Sequence, residues 1–80
     1  MVESLREGNK VVGIKQTIKA IEKGSVKIVY IAKDADERVV GKVVELCKKG
    51  NILLKYVDTM KFLGKACNID VGAAVACILE

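Results

Sequence analysis

The stretch GIKQTIKAIEKGSVKIVYIA, Gly13 to Ala32, holds a helical pattern and a strand pattern on either side of one glycine. In its first half Ile14, Ile18 and Ile21 fall on one side of a helix running from about Lys15 to Lys23, and the lysines face the other way. Gly24 then supplies the left-handed residue that commonly ends a helix. The run VKIVYIA, Val26 to Ala32, is β-branched and apolar enough for a central strand buried on both faces.

The same alternation continues outward. Upstream, residues Val2 to Asn9 read as a short opening helix stopped by Gly8 and Asn9, and Val11 and Val12 as a brief strand. Downstream, Asp34 and Asp36 are acceptable N-caps for a helix. Its apolar residues are Val39, Val40, Val43, Val44, Leu46 and Cys47, while Lys42, Glu45, Lys48 and Lys49 face water. Gly50 and Asn51 close it. Ile52 to Val57 reads as a further strand. Asp58 or Thr59 caps a helix carrying Met60, Leu63 and Ala66, and Ala73 to Leu79 is again a continuous apolar strand. Alternation of this kind predicts an α/β domain over residues 1–80, with a short sheet of about four strands and helices on both faces. No linker, repeat or low-complexity stretch interrupts it.

Composition narrows the function classes. Hydrophobic residues are 51% of the 80, with two tyrosines, one phenylalanine and no tryptophan, so the core must be built from Val, Ile, Leu and Ala. Fourteen Lys and Arg against ten Asp and Glu leave a net charge of +4, which attracts polyanions. The three cysteines, Cys47, Cys67 and Cys77, sit in apolar stretches with no histidine to join them. That pattern argues against zinc and for reduced, buried thiols in a cytoplasmic protein. Glu3, Arg6, Glu7 and Lys10 leave no apolar core for a signal peptide, and the longest apolar run, Gly72 to Leu79, is too short to span a bilayer. No membrane association is expected.

An enzyme finds little support. Without histidine a cysteine nucleophile lacks its usual base, and Cys67, near Lys65, is better read as a core residue. Asp34, Asp36 and Glu37 cluster, but at a helix start they serve as caps and dipole partners rather than metal ligands. Gly64 and Lys65 resemble the end of a phosphate loop, yet Thr59 replaces the first glycine and Ala66 the magnesium-binding hydroxyl. No catalytic residue, metal or cofactor is expected.

Binding remains. On a helix beginning near Ile14, Lys15 and Lys19 stand one turn apart on one face, with Gln16 about 100° around from Lys15. Backbone N–H groups and the positive end of the dipole favour phosphate at such a terminus. Lysine ammonium and glutamine amide groups can engage the O6 and N7 acceptors of guanine, and an apolar surface can receive an extruded base. The bland alternative is a solvated lysine face. The turn from Asn68 to Gly72 exposes Ile69 and Val71, unless these fold back into the core.

The segments GIKQTIKAIEKGSVKIVYIAKDAD, Gly13 to Asp36, and YVDTMKFLGKACNIDVGAAVACI, Tyr56 to Ile78, together resemble the kink-turn-binding ribosomal protein family, and more closely its short bacterial, ribosomal-protein-like branch. The similarity runs from about Val11 to Leu79. It implies a three-layer α/β/α sandwich with a mixed sheet, and binding to RNA stems bent sharply at a bulge followed by tandem sheared G·A pairs. By the same resemblance, the segment opening at Gly13 and Ile14 approaches the RNA, Gly13 allowing close contact. Lys15 and Gln16 would meet the guanines, with Lys19 alongside. Asp36 and Val40 would lie by the extruded base. Ile69, Asp70, Val71 and Gly72 would cover the bulge nucleotides. Archaeal and eukaryotic members typically carry Asn then Glu where this chain has Lys15 and Gln16, and Met60 stands where some relatives place a lysine near the extruded base. The implied partners are a kink-turn in ribosomal RNA or in a riboswitch leader, and the ribosome, with the protein a monomer. The competing reading is a small protein–protein adaptor using the 69–72 turn, with the lysines serving solubility alone.

Overall fold

A computed structural model describes residues 9–80, and the opening helix read over 2–9 lies outside these apart from Asn9. The elements run β1 (Lys10–Val12), α1 (Ile14–Lys23), β2 (Val26–Ala32), α2 (Glu37–Gly50), β3 (Leu53–Val57), α3 (Met60–Ala66) and β4 (Val75–Leu79). The four strands form one sheet in the order β1-β4-β2-β3. Strand β4 is antiparallel to both β1 and β2, whereas β2 and β3 are parallel, so the sheet is mixed.

Strand register assigns the layers. Cys77 pairs with Val11 on one side and Val29 on the other, and the three share a face. That face carries Thr17 of α1 and Cys47 of α2, both neighbours of Cys77, and α1 and α2 pack on one another across it. Helix α3 packs on β2, β3 and β4, and Cys67 just beyond it lies near Lys10, whose side chain points the other way from Val11. The result is the expected α/β/α sandwich. Strands β2 and β4 occupy the middle of the sheet and supply most of the core: Val29, Ile31, Ala32, Val75, Ala76 and Cys77 are each no more than 1% exposed.

The helix ends follow local chemistry. Gly24 closes α1 with φ 74°, donating its N–H to the carbonyls of Ala20 and Ile21, and Asn51 closes α2 in the same left-handed region at φ 56°. Asp36 caps α2 and Thr59 caps α3.

Two readings of the apolar pattern shift. On α1 the most deeply buried residues are Thr17 and Ala20, and Ile14, Ile18 and Ile21 are only half-buried around them. Small side chains one turn apart let α1 lie close on the sheet, and the isoleucines fill its flanks. On α2, Val39 is 45% exposed, because Val40, Val43 and Cys47 already complete the buried stripe. The last strand starts at Val75, with Ala73 and Ala74 leading in, and β3 starts at Leu53.

Glycines at two helix positions have opposite roles. A Cβ at Gly64 would collide with the Val71 carbonyl oxygen, whereas one at Gly41 meets nothing. Gly64→Ala is therefore expected to destabilise by about 1–3 kcal/mol through overpacking. Gly41→Ala, on the exposed side of α2, should instead stabilise by about 0.5–1 kcal/mol. Thermal melts of the two variants beside the parent check both signs; equal and opposite shifts to these would refute the packing of the late turn on α3.

Candidate nucleic-acid interface

Strands β1, β2 and β3 all run the same way, because β4 returns antiparallel between β1 and β2. Their C-terminal ends therefore lie at one end of the sheet, and α1, α2 and α3 all begin there. The positive ends of three helix dipoles are thus gathered on one surface.

Backbone hydrogen bonds tie the loops of this end into one frame. Gly13 N–H donates to the Val75 carbonyl at 3.0 Å, Ala32 N–H to that of Ala74 at 3.0 Å, and Lys33 N–H to that of Val57 at 2.8 Å. The Asp34 carboxylate accepts from Met60 N–H at 2.8 Å, joining the β2–α2 loop to the start of α3. Ala73 N–H donates to the Met60 carbonyl at 3.0 Å and Ile69 N–H to that of Gly64 at 3.0 Å, which folds the 68–72 turn back over α3. Gly72 completes the contact, its backbone seated on Met60, where a Cβ would come within 3.3 Å.

The three helix starts differ in what occupies them. At α3 the Thr59 hydroxyl accepts from Phe62 N–H at 3.0 Å. At α2 the Asp36 carboxylate accepts from Arg38 three times: from N–H at 2.9 Å, Nε at 3.4 Å and Nη2 at 3.1 Å. The Arg38 side chain, and then its backbone N–H, holds the Asp36 carboxyl below its ordinary pKa. At α1 the N-cap is Gly13, with no side-chain hydrogen bond and no acid in the first turn. Gly13 adopts φ 110°, a backbone that side chains rarely tolerate, and a Cβ there would lie 2.7 Å from Gln16 Oε1. Glycine thus lets the Gln16 amide fold over the mouth of the helix. Lys15, Gln16 and Lys19 are exposed beside it, and none of the ion pairs among the described residues involves either lysine. This terminus presents cations, an amide and N–H groups to solvent, an arrangement suited to phosphate oxygens and the acceptor edges of bases.

The remaining candidate residues spread over the same end with different access. Met60 is 37% exposed and Val71 is 71% exposed, whereas Ile69 is half-buried against the core. The late turn therefore offers one branched side chain, not two, because the Ile69–Gly64 bond turns Ile69 inward. Asp70 and Gly72 are exposed. Val40 is buried, only 6% exposed, and its neighbour Val39 is the valine at this level of α2 that reaches solvent. Sequence reasoning also missed Arg38, which occupies Asp36, and Lys33, which pairs weakly with Asp58 at 3.8 Å on the surface. Loop position was the signal for both: each lies within two residues of a strand end or helix cap.

Catalytic alternatives lose ground on geometry. Burial pushes all three thiols above their ordinary pKa, and for Cys67 the opposing pull of Lys10 is the smaller effect. Among the described residues no group of three or more His, Cys, Asp or Glu could hold a metal ion, and no helix is long and apolar enough to cross a membrane.

Comparison with known proteins places this geometry. The model of the ribosomal protein L7Ae/L30e/S12e/Gadd45 family matches residues 2–80. The chain is 57% identical over 67 residues to a protein of Caldanaerobacter subterraneus subsp. tengcongensis named as an RNA-binding protein, covering 84% of this chain and 82% of that one. It is 45% identical over 76 residues to RNA-binding protein YbxF of Geobacillus stearothermophilus, covering 95% and 93%. Among solved structures, the Giardia lamblia 15.5kD RNA binding protein superposes with a TM-score of 0.91 at 25% identity, over 99% of this chain and 70% of that one.

The Asp36–Arg38 contact carries a pH signature. With the folded pKa of Asp36 depressed below its ordinary 3.8, the unfolded chain binds the proton more readily. The stabilisation is therefore fully present above about pH 4 and is lost as pH falls through the folded value. Asp36→Asn keeps an N-cap oxygen and removes the charge. The difference in melting temperature between parent and variant should hold steady above pH 4 and vanish in more acid solution; a difference that persists there would assign it to something other than the carboxylate.

Proposed function

The chain belongs to the ribosomal protein L7Ae/L30e/S12e/Gadd45 family, and on that basis we propose that it is an RNA-binding protein, without catalytic activity, whose targets are kink-turns. The observation that carries this reading is the open start of α1, where Lys15, Gln16 and Lys19 surround an uncapped helix terminus while the other two helix starts are closed by Asp36 and Thr59. The names of the two bacterial relatives and of the structural neighbour support RNA as the ligand.

In this proposal Lys15 and Gln16 engage guanine edges of tandem sheared G·A pairs, Gly13 admits the RNA close to the backbone, and Lys19 takes a guanine edge or phosphate. Met60, Val71 and the Asp36 corner flank the bulge. Lysine and glutamine supply donors only or donor and acceptor together, so an acceptor for guanine N–H groups must come from the Gln16 carbonyl. A bare kink-turn interconverts between extended and bent forms. Protein that contacts only the bent form shifts the population toward it, by no more than its differential affinity for the two. The role is architectural, in ribosomal RNA or a regulatory leader, and the protein acts as a cytoplasmic monomer.

The second reading, a protein adaptor docking on the 69–72 turn, draws on the exposed Val71. Salt separates the two. Binding through several lysines weakens steeply as salt rises, and an apolar contact does not.

Titration into a labelled kink-turn RNA, beside the same RNA with Watson–Crick pairs in place of the G·A pairs and without magnesium, tests the proposal. Tight binding and bending of the kink-turn alone is expected. Lys15→Ala should cost about 1–3 kcal/mol of specific binding, and Lys48→Ala, on the solvent side of α2, little. Equal losses at the two positions would rule out α1 as the recognition face.

A further inference from the structure

The chain has three aromatic side chains, and the structure treats them differently. Tyr30 is 2% exposed in the sheet, whereas Tyr56 is 52% and Phe62 48% exposed. The two exposed rings border one cleft of about 480 Å³, together with Val57, Asp58 and Thr59. Tyr56 shares the α2 face of the sheet through its register with Ile31, and Phe62 belongs to α3 in the other layer. Since β3 is the last strand of the sheet, the rings bracket an edge that nothing else among the described residues pairs with.

We infer that the Tyr56–Phe62 cleft is a stacking site for unpaired nucleotides that flank the RNA motif held on α1. The inference rests on the RNA reading of that helix. Three features favour this occupant. The cleft opens at the C-terminal end of β3, the end where all three helices begin, so it lies at the same end of the sheet as the lysines of α1, across the width of the sheet from them. One cation reaches the cleft directly, Lys33, paired with Asp58 at its rim at 3.8 Å, and Lys55 and Lys61 each precede one of the rings in the chain. The Lys33–Asp58 pair is exposed at 63% and 89%, so Lys33 can turn to a phosphate at little cost. Asp58 could accept from an exocyclic amine, and Thr59, whose oxygen already accepts from Phe62 N–H, still has a hydroxyl hydrogen to donate. Aromatic faces receive any base, and a few such contacts extend binding without sequence choice.

A second copy of this chain fits the cleft less well. Antiparallel pairing of two β3 edges about their centre would set Lys55 against Lys55.

The test uses a blunt-ended kink-turn RNA, the same RNA with a single-stranded adenine extension of about six nucleotides at either end, and the extension strand alone, each extension carrying one 2-aminopurine. One extended RNA should bind at least about fivefold tighter than the blunt one, and its 2-aminopurine emission should change on binding. Tyr56→Leu and Phe62→Leu, each melting like the parent, should remove the gain and the emission change while binding blunt RNA unchanged; Lys15→Ala should weaken all kink-turn RNAs alike. No gain from either extension, or a gain that survives both ring substitutions, overturns the inference. Should the kink-turn and its straight control bind equally, the strand alone decides: an emission change lost in Tyr56→Leu sustains the stacking site, and no change refutes it. Self-association that rises with protein concentration and disappears in both ring variants would overturn it in favour of a homodimer edge.

Discussion

The insertion of β4 between β1 and β2 is the constraint on which the rest of this molecule depends. Its hydrogen bonds run antiparallel to both neighbours, and Val75, Ala76 and Cys77 are wholly buried. Because β4 alone runs backward, the other three strands share a direction, and every helix that follows one of them starts at the same end. The candidate surface is a product of topology before any lysine is considered. The carbonyls of Ala74 and Val75, just where β4 begins, also accept from Ala32 and Gly13 and so hold the loops before α2 and α1 in fixed relation. Most of these contacts join residues far apart in sequence, and the surface cannot assemble piecemeal.

Three helix termini on one surface concentrate positive potential, but their differing caps decide where an anion can approach. Asp36 accepts from one first-turn N–H group of α2, and Asp34 and Thr59 accept from two of α3. Of the three, only α1 begins at a glycine, which supplies no side-chain cap and leaves room for the Gln16 amide beside it. In the proposed reading, specificity for a bent RNA over a straight one would follow from shape: cations at α1, an apolar Met60 and Val71 at the same end of the sheet, and a hydrogen-bonded frame between. A flexible lysine surface would neutralise any polyanion; a framed one favours the RNA whose phosphates and base edges match its spacing.

Much of this was legible in the sequence because period and punctuation agreed. The run Val26 to Ala32 reads as a central strand and is one, Gly24 and Asn51 mark helix ends, and Thr59 and Asp36 cap. Lys15, Gln16 and Lys19 stand exposed together at a helix start, as their spacing implied. What escaped was depth and direction. Period alone cannot say that Thr17 and Ala20 would lie deeper than three isoleucines, since that depends on how closely α1 approaches the sheet. Nor can it tell Val39 from Val40, which differ by one position on a helix and by burial. Ile69 turned inward because of a backbone bond to Gly64 across a turn, and Asp34 bonds a residue 26 positions away, at Met60. Such contacts belong to tertiary structure and have no local signature. The placing of Tyr56 and Phe62 on one cleft belongs to the same class, since it arises only because β3 is an edge and α3 folds back beside it.

The three thiols give the protein a chemical resilience that its fold does not advertise. Cys47, Cys67 and Cys77 are each at most 1% exposed, and burial keeps them protonated. Oxidants such as peroxide attack the thiolate, and only where it can be reached. A chain so arranged keeps its sulfurs reduced without help from thiol-repair enzymes for as long as it stays folded. The candidate interface at the helix starts, none of whose named residues is a cysteine, would keep its geometry through an oxidative burst that disables proteins with accessible thiolates.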